Sequence, residues 1–303
     1  MSRILVTGAS GFVGAAVADL AAREGHDVIV LVRDPAVARV RALSGRCEIA
    51  VADLADDAVG AILHQARPEI VIHSAWAGVG GPARANDVQL DNIGMTVALL
   101  DKAVAAGVRR FIGIGSQAEY GRQDRRINEQ AATEPFLLYG AAKLSAFHLT
   151  RQRAAQAGIG FAWLRLFSPY GPGDNPDWLI PSVAAQLLKA QSPRVSAGTQ
   201  RWDYLHITDV ARGILAAALK DTAQGVFNLA SGQAITVRSI VEKLRNLACP
   251  GLALNFGAIP FGPDQIMHLE GDCSALMNAT GWAPVMTIDQ GLATVVDALR
   301  AAQ

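Results

Sequence analysis

The sequence predicts an α/β protein: a doubly wound parallel sheet with a smaller C-terminal lobe interleaved with it. Three observations support this prediction. Short apolar runs alternate with alanine-rich stretches of helical length, a glycine-rich turn follows the first run, and the rhythm changes after a segment rich in Pro and Gly. Strands that alternate with helices form βαβ units, which give a parallel sheet covered by helices on both faces.

The predicted strands follow one another at regular intervals in the first half of the chain. In order they are "RILVTG", "DVIVLV", "CEIAV", "EIVIHSA", "RRFIGIG" and "FAWLRLF". We assign residues 1–168 to the sheet domain. After "SPYGPGDNPD" the pieces are shorter, which indicates a second lobe formed by residues 169–205 and 233–303. The strand-like "GVFNLA" predicts that residues 206–232 return to the main sheet.

Composition argues against several classes of function. Of the 303 residues 51% are hydrophobic, and 27 basic residues balance 27 acidic ones. Without a polybasic run, or an apolar run near the roughly 20 residues of a membrane span, neither nucleic acid nor a membrane is an expected partner. The N-terminus lacks the shape of a signal peptide, so a cytoplasmic location is expected. Cys47, Cys249 and Cys273 lack CxxC spacing, and we expect reduced thiols and no metal site.

The first predicted turn has the spacing of a phosphate-binding loop. Gly8, Gly11 and Gly14 lie three residues apart between a strand and a helix. Glycines allow a tight turn and a close backbone approach, so the pyrophosphate of a dinucleotide can lie on the helix N-terminus. At the first βα turn of a parallel sheet, this pattern favours a Rossmann-type NAD(P) site over a merely tight turn.

The GxxGxxG spacing resembles that of the short-chain dehydrogenase/reductase superfamily, in its extended branch of nucleotide-sugar epimerases and dehydratases. Other matching pieces, spread over nearly the whole chain, are "VADLAD", "VIHSAWAG", "DNIGMT", "GSQAEYG", "YGAAK", "RLFSPYGPGD" and "WDYLHITDVARGI". The cofactor-binding residues that this resemblance implies are Gly8, Ser10, Gly11, Phe12, Val13, Gly14, Arg33, Asp53, Leu54, Ser74, Ala75, Trp76, Tyr139 and Lys143.

The end of the second predicted strand bears on the choice between NAD and NADP. Family members that prefer NAD carry an acidic residue there, which binds the adenosine ribose and repels a 2′-phosphate. Here that position is Val32, and the guanidinium of the following Arg33 can bind a phosphate through two parallel hydrogen bonds. Ser10 could add a hydroxyl. We therefore expect NADP, with NAD less favoured; the alternative is that Arg33 is solvated and Asp34 binds the ribose.

Carbonyl reduction needs a hydride donor, a proton donor and polarisation of the carbonyl oxygen. "LYGAAKLS" places Tyr139 and Lys143 four residues apart, on one face of a helix. A nearby ammonium lowers the pKa of a tyrosine, so Tyr139 is expected to exchange the proton, with Lys143 as its electrostatic tuner and a ribose ligand. Ser116, at the end of a predicted strand, matches the family's catalytic Ser or Thr. His73 and Asn92 are expected to be structural.

The residues after Ser116 bear on the type of reaction. The family's 4,6-dehydratases carry Asp and Glu directly after the catalytic residue, but Gln117 and Ala118 stand here and neither can act as an acid or base. An epimerase retains its cofactor and typically uses NAD, whereas a net reductase consumes NADPH, so the expectation for Arg33 favours a reductase. Ser168 replaces the Asn with which many epimerases hold the sugar nucleotide.

For the substrate, the resemblance implies contacts from Gln117, Ser168, Arg201 and Trp202. The family's RD motif supplies an arginine to the diphosphate of a nucleotide sugar, and Trp202 occupies that position here, one residue after Arg201. Arg201 could still reach a phosphate, and Trp202 could stack on a base or sugar. The alternative is that both are surface residues of an edge strand.

The expected function is the NADPH-dependent reduction of the 4-keto group of a nucleoside-diphosphate 4-keto-6-deoxyhexose, in deoxysugar biosynthesis. The alternatives are an NAD-dependent nucleotide-sugar 4-epimerase, a reductase of a small ketone or aldehyde, and a non-enzymatic NADP-sensing regulator. The alanine-rich faces of two predicted helices would permit close packing between copies of the chain, so a homodimer is expected.

Overall fold

A computed structural model describes residues 1–262 and 264–302. The strands are β1 (Arg3–Thr7), β2 (Asp27–Val32), β3 (Glu48–Val51), β4 (Ile70–His73), β5 (Arg110–Ser116), β6 (Arg126–Ile127), β7 (Gly160–Leu166), β8 (Pro169–Tyr170), β9 (Arg194–Val195), β10 (Arg201–Asp203), β11 (Leu205–His206), β12 (Gly225–Leu229), β13 (Ala234–Thr236), β14 (Asn255–Phe256) and β15 (His268–Gly271). The α-helices are α1 (Phe12–Arg23), α2 (Ala38–Leu43), α3 (Ala58–Ala66), α4 (Val88–Ala105), α5 (Leu138–Ala157), α6 (Leu179–Leu188), α7 (Ile207–Leu219), α8 (Val237–Ala248), α9 (Ser274–Thr280) and α10 (Ile288–Ala301). Two short 3₁₀ helices span Gly81–Ala85 and Gln117–Glu119.

Seven strands form one parallel sheet, in the order β12-β7-β5-β4-β1-β2-β3. The chain builds outward from β1 in one direction through β2 and β3, and in the other through β4, β5, β7 and β12. The order therefore reverses between β1 and β4, and ligands of such sheets bind in the crevice at the carboxyl ends of the strands at that point. This confirms the predicted doubly wound α/β fold.

Helices cover both faces of the sheet because its strands are apolar on both sides. The adjacent residues Ile4 and Leu5 are both fully buried but belong to opposite layers. Ile4 packs in the layer of α1, α2 and α7, and Leu5 in that of α3, α4 and α5. Each such side chain contributes about 1.5–3 kcal/mol on burial.

The main unit is discontinuous in sequence. Strand β12 pairs in parallel with β7 over five residue pairs, from Gly225–Ala162 to Leu229–Leu166, and α7 packs against α1. The end of the chain differs from the expected lobe boundaries: α9 packs against α7 and β12, and the indole Nε1 of Trp282 donates to the carbonyl oxygen of Asp209 at 3.1 Å. The reason is that β12 is an edge strand, and this segment covers its apolar side.

The second lobe has its own core, formed by α6, α8 and α10. Beside it lies a small sheet in the order β13-β10-β15-β6. Asp203, at the end of β10, is fully buried, and its carboxylate accepts hydrogen bonds from the backbone N–H groups of Ser231, Gly232 and Gly271. These bonds fasten the small sheet to the loop that leaves β12, so the lobe is held against the carboxyl edge of the main sheet.

Two features are absent from the described residues, 1–262 and 264–302: a membrane-spanning helix and a cluster of metal-binding side chains. No helix there is long and apolar enough to cross a membrane. Nor do three or more His, Cys, Asp or Glu side chains come together there as a metal site would require.

Candidate active site

A cavity of about 860 Å³ lies between the glycine turn, the ends of the central strands and the second lobe. A smaller cavity of about 170 Å³ adjoins it and shares Gly8, Gly11, Ser74 and Trp76 with it. The larger volume is in the range of small-molecule sites. Because both cavities open at the switch point of the sheet, they form the candidate site for a dinucleotide and a substrate.

The glycine turn has the shape that a dinucleotide pyrophosphate requires. Gly8 has φ +76°, and a Cβ there would lie 2.5 Å from the backbone nitrogen of Ala75. A Cβ at Gly14 would lie 2.3 Å from the carbonyl oxygen of Gly8. Gly11 caps α1 without a side-chain hydrogen bond, so the N–H groups of the first turn are open to an anion.

The remaining residues of the glycine turn have distinct positions. Phe12 and Val13 line the larger cavity, and Ser10 lines the smaller one. Gly14 is buried and lines neither cavity. Its role is to let α1 begin in contact with the carbonyl of Gly8, since any side chain would clash there.

The smaller cavity ends at the predicted adenosine-binding residues. Arg33, Asp53, Leu54 and Ala75 line it. The Arg33 side chain is 76% exposed, and its Nη1 lies 3.7 Å from Oδ2 of Asp53. Asp34 lines neither cavity; its Oδ1 accepts a hydrogen bond of 2.8 Å from the backbone nitrogen of Ala36. The guanidinium of Arg33, and not the carboxylate of Asp34, therefore borders this end of the site.

The structure brings Ser116, Tyr139 and Lys143 together at the larger cavity. Ser116 ends β5, and its Oγ accepts a hydrogen bond of 3.2 Å from the backbone nitrogen of Ala118. Tyr139 lies in the first turn of α5 and lines the same cavity, where the Ser116 side chain acts to lower the pKa of its phenol. The Nζ of Lys143, one turn later, donates to the carbonyl oxygen of Ile114 at 2.6 Å. Ser116 and Tyr139 thus line the same cavity.

The electrostatics of this group differ from the expected tuning of Tyr139 by Lys143. Burial raises the pKa of Tyr139, against the lowering effects of the Ser116 hydrogen bond and the charge of Arg84. Burial also lowers the pKa of Lys143, to about 7. Lys143 Nζ lies 3.7 Å from the ring centroid of Trp76, while the Cζ of Arg84 lies 4.5 Å from that of Tyr139. The cation stacked on the Tyr139 ring is therefore Arg84.

Glu119 lies outside the cavity and binds the backbone of Ser116. Its side chain is completely buried. Its Oε1 accepts hydrogen bonds from the backbone nitrogen of Ser116 at 2.9 Å and from Trp163 Nε1 at 3.0 Å. Its Oε2 accepts from Arg165 Nε at 2.7 Å. Because this carboxylate is occupied and lines neither cavity, it positions Ser116 and is not available as a base for eliminating water.

His73 and Asn92 have structural contacts. The ring nitrogens of His73 lie 2.8 Å from Thr7 Oγ1 and 3.0 Å from Thr96 Oγ1, and burial lowers its pKa to about 3. Asn92 accepts a hydrogen bond of 2.9 Å from the backbone nitrogen of Ala77 and donates one of 2.9 Å to its carbonyl. The histidine is neutral and the asparagine holds the loop after β4.

Three of the four expected substrate residues, Gln117, Ser168 and Trp202, line the larger cavity. The expectation for Arg201 was wrong: its side chain is exposed and donates a hydrogen bond of 2.6 Å to the carbonyl oxygen of Ala234. Neighbouring residues of a strand point to opposite faces, so on β10 Trp202 faces the cavity and Arg201 turns away.

Sequence reasoning missed several residues of the cavity, among them residues on loops and in short helices. Arg39 lines it and donates hydrogen bonds to the carbonyl oxygens of Ser10 and Gly173. Further lining residues that it missed include Arg84, Asp174, Trp178 and Gln200. Loops have no periodicity from which the direction of a side chain could be predicted.

Several buried polar atoms at this cavity have no hydrogen-bond partner within the described part of the chain. They are Arg84 Nε, Gln117 Oε1, Gln200 Oε1 and Trp202 Nε1. A buried polar group without a partner costs about 1–3 kcal/mol, so such atoms are rare in folded proteins. Four such atoms therefore lie on residues that line the candidate site.

This combination of fold and site defines an NAD(P)-dependent oxidoreductase-type enzyme of the extended short-chain dehydrogenase/reductase class. The model of the NAD dependent epimerase/dehydratase family matches residues 4–230. The chain belongs to this family.

Relatives of known function extend over nearly the whole chain. It is 29% identical over 315 residues to UDP-glucose 4-epimerase of Corynebacterium glutamicum, covering 97% of this chain and 94% of that protein. It is 28% identical over 313 residues to dTDP-6-deoxy-L-talose 4-dehydrogenase (NAD(P)(+)) of Kitasatospora kifunensis, covering 96% of this chain and 93% of that protein.

Solved structures show the same fold. UDP-glucose 4-epimerase of Thermotoga maritima, solved with UDP-glucose, superimposes with a TM-score of 0.88 at 24% identity and covers 99% of each chain. MoeE5, solved with UDP-glucose and NAD, superimposes with a TM-score of 0.85 at 25% identity and also covers 99% of each chain.

Proposed function

We propose that this enzyme uses NADPH to reduce the 4-keto group of a nucleoside-diphosphate 4-keto-6-deoxyhexose. The observation that carries the proposal is that Ser116, Tyr139 and Lys143 line one cavity beside the glycine turn. The bound nicotinamide supplies the hydride. Ser116 and Tyr139 hold the carbonyl oxygen, and Tyr139 donates the proton as that oxygen gains negative charge.

The protonation state of Tyr139 favours the reducing direction. Burial raises the pKa of its phenol, so the group keeps its proton at neutral pH. A protonated phenol can act as a general acid towards a ketone, whereas oxidation of an alcohol needs it as a base. Gln117 and Ala118 offer no acid or base for elimination, and Glu119 is bound to Arg165. The site therefore favours reduction over dehydration.

The relatives support chemistry at the 4-position of a nucleotide sugar. Their names include a UDP-glucose 4-epimerase and a dTDP-6-deoxy-L-talose 4-dehydrogenase. In this chain the first turn of α6 lines the cavity, and its N-cap, Trp178, makes no side-chain capping bond. Helix N-termini bind phosphate groups, which suits one phosphate of a diphosphate.

The experiment that tests the proposed function follows nicotinamide absorbance with NADPH and, in parallel, NADH. The substrates are the dTDP-, CDP-, GDP- and UDP-linked 4-keto-6-deoxyhexoses. We expect net consumption of NADPH with one of them. Interconversion of two nucleotide sugars without net consumption of reduced cofactor would contradict the reductase and identify a 4-epimerase.

Arg33 carries the NADP preference in this proposal, and its replacement is a direct test. In Arg33→Asp the guanidinium at the adenosine end is exchanged for a carboxylate that repels a 2′-phosphate. We expect the KM for NADPH to rise about 10-fold or more, and that for NADH to change little. Steady-state kinetics with each cofactor measure this, with Arg125→Asp, an exposed arginine outside both cavities, as the control. An unchanged ratio of the KM values for NADPH and NADH would show that Arg33 does not select the cofactor.

One observation favours a second candidate, a reductase of an uncharged ketone. Among the described residues, those of the second lobe that line the cavity include the carboxylic acid Asp174 but no lysine or arginine. A diphosphate is usually bound by cationic side chains. Small cyclic ketones therefore belong in the same absorbance assay, and turnover of these without turnover of any nucleotide sugar would establish the second candidate.

A further inference from the structure

Arg84 is a cationic side chain at the reaction centre without an acidic partner. Its guanidinium stacks on Tyr139, with 4.5 Å between Cζ and the ring centroid, and its Nε is buried without a hydrogen bond. No carboxylate of the described residues forms an ion pair with it, although many other arginines of the chain have one. Arginine presents five donors in a rigid fork, which suits carboxylate and phosphate oxygens.

The other cations of the cavity are already bound to protein atoms. Arg39 donates to the carbonyl oxygens of Ser10 and Gly173, and Lys143 donates to that of Ile114. Arg84 is therefore the lining cation of the described residues that is placed to bind an anion from outside the protein.

The segment that carries Arg84 is fixed before any ligand arrives. Gln89 Nε2 donates hydrogen bonds of 2.9 Å to the carbonyl oxygen of Gly78 and 3.0 Å to that of Ala83. Gln89 Oε1 in turn accepts from Trp76 Nε1 at 2.8 Å. A side chain on a backbone held in this way loses little entropy when it binds.

The same segment approaches the part of the second lobe where a substrate phosphate would lie. A Cβ at Gly80 would be 3.9 Å from Nε1 of Trp178, the residue that precedes α6. On β10 the cavity is faced by Trp202 and not by a cation. The described second-lobe residues that line the cavity include no lysine or arginine. Arg84, in the segment after β4, supplies a positive charge from the other side of the cavity.

We propose that Arg84 binds the anionic oxygens of the substrate and selects for them. Such oxygens have two sources in sugar nucleotides, the diphosphate and a carboxylate on the sugar; a 6-deoxyhexose has only the first, so selection for a carboxylate would contradict the proposed substrate. The inference rests on the proposed function in that the ligand is a sugar nucleotide, but it concerns binding and not hydride transfer.

The test is isothermal titration calorimetry of the NADP-loaded enzyme. The probes are uridine, UDP, UDP-glucose and UDP-glucuronate, with dTDP and GDP to cover other bases. The variants are Arg84→Gln, Arg84→Lys and the surface control Arg125→Gln.

If Arg84 binds the diphosphate, Arg84→Gln lowers the affinity for UDP, UDP-glucose and UDP-glucuronate alike, by about 10- to 100-fold, and leaves the affinity for uridine unchanged. If Arg84 binds a sugar carboxylate, only the affinity for UDP-glucuronate falls. In either case Arg84→Lys retains part of the affinity, because the positive charge remains, and Arg125→Gln binds like the wild type.

Two results would overturn the inference. One is an equal loss for uridine and the phosphorylated probes, which would make Arg84 a packing residue above Tyr139. The other is a wild-type enzyme that binds none of the anionic probes. Affinity that depends on Arg84 without any NADPH consumption would contradict the proposed reductase and leave the binding role of Arg84 intact.

Discussion

Replacement of Tyr139 with phenylalanine is expected to lower kcat for ketone reduction by about 10²–10⁴-fold. The substitution removes the phenolic hydroxyl that lines the cavity with Ser116, and with it the proposed proton donor. The ring keeps its contacts, including the edge-on approach of Trp76 at 6.4 Å between centroids. The KM for NADPH should therefore change much less than kcat, since the fold and the rest of the cofactor site are preserved. Steady-state NADPH oxidation measures both parameters.

A matched control is Tyr120→Phe. Tyr120 is also buried, but its hydroxyl donates to Asn228 Oδ1 at 2.7 Å and lines neither cavity. Its loss should cost about 1 kcal/mol of stability and little activity. Full turnover by Tyr139→Phe would exclude Tyr139 as the acid, whatever the substrate.

The pH dependence of the reduction follows from the state of Tyr139. Burial raises the pKa of its phenol, so the acid form is present throughout the neutral range and is lost only as pH rises through that elevated value. We expect the phenol to contribute a fall of kcat only at alkaline pH, whereas a change near pH 7 would report Lys143, whose pKa burial lowers to about 7. Direct titration of the Tyr139 phenol by its ultraviolet absorbance in the neutral range would contradict a protonated phenol there.

The second large effect is expected at Glu119, on the stability of the fold. Glu119→Gln leaves the buried guanidinium of Arg165 without a carboxylate, since their 2.7 Å contact becomes a bond to a neutral amide. Breaking a buried ion pair from one side costs about 3–5 kcal/mol. Contacts of Arg165 with the faces of Tyr120, at 4.3 Å, and Phe147, at 5.5 Å, offset part of this, so we expect a loss near 3 kcal/mol. Urea denaturation monitored by circular dichroism measures it.

A double variant separates charge from packing at this pair. In Glu119→Gln/Arg165→Met both charges are removed while the amide oxygen can still accept from Ser116 and Trp163, and part of the lost stability should return because no buried charge is left unpaired. An exposed pair gives the contrast: Arg23→Gln, which breaks the 2.8 Å contact with Asp19, should cost less than about 1 kcal/mol. A Glu119→Gln variant as stable as the wild type would show that the buried pair contributes nothing to the fold.

Local sequence patterns determined the fold class and the core of the candidate site. The strands of a parallel sheet are buried on both faces, so runs such as "RILVTG" are recognisable by their continuous apolarity. Gly8 and Gly14 occupy backbone positions where a side chain would clash. The presence of glycine in the sequence is enough to predict such positions. Tyr139 and Lys143 share a helix face because of their spacing, and both line the cavity.

The tertiary structure alone decided which side chains meet across elements. Arg201 and Trp202 are equivalent candidates in sequence, and the pairing of β10 with β13 and β15 turns one outward and the other into the cavity. Glu119 lies where an acid could have faced the substrate, but Trp163 and Arg165 on β7 bind it beneath the sheet edge. Arg84 stacks on Tyr139 only because the loop after β4 folds over the start of α5. These contacts join residues far apart in the chain, and no local pattern records which way such side chains point.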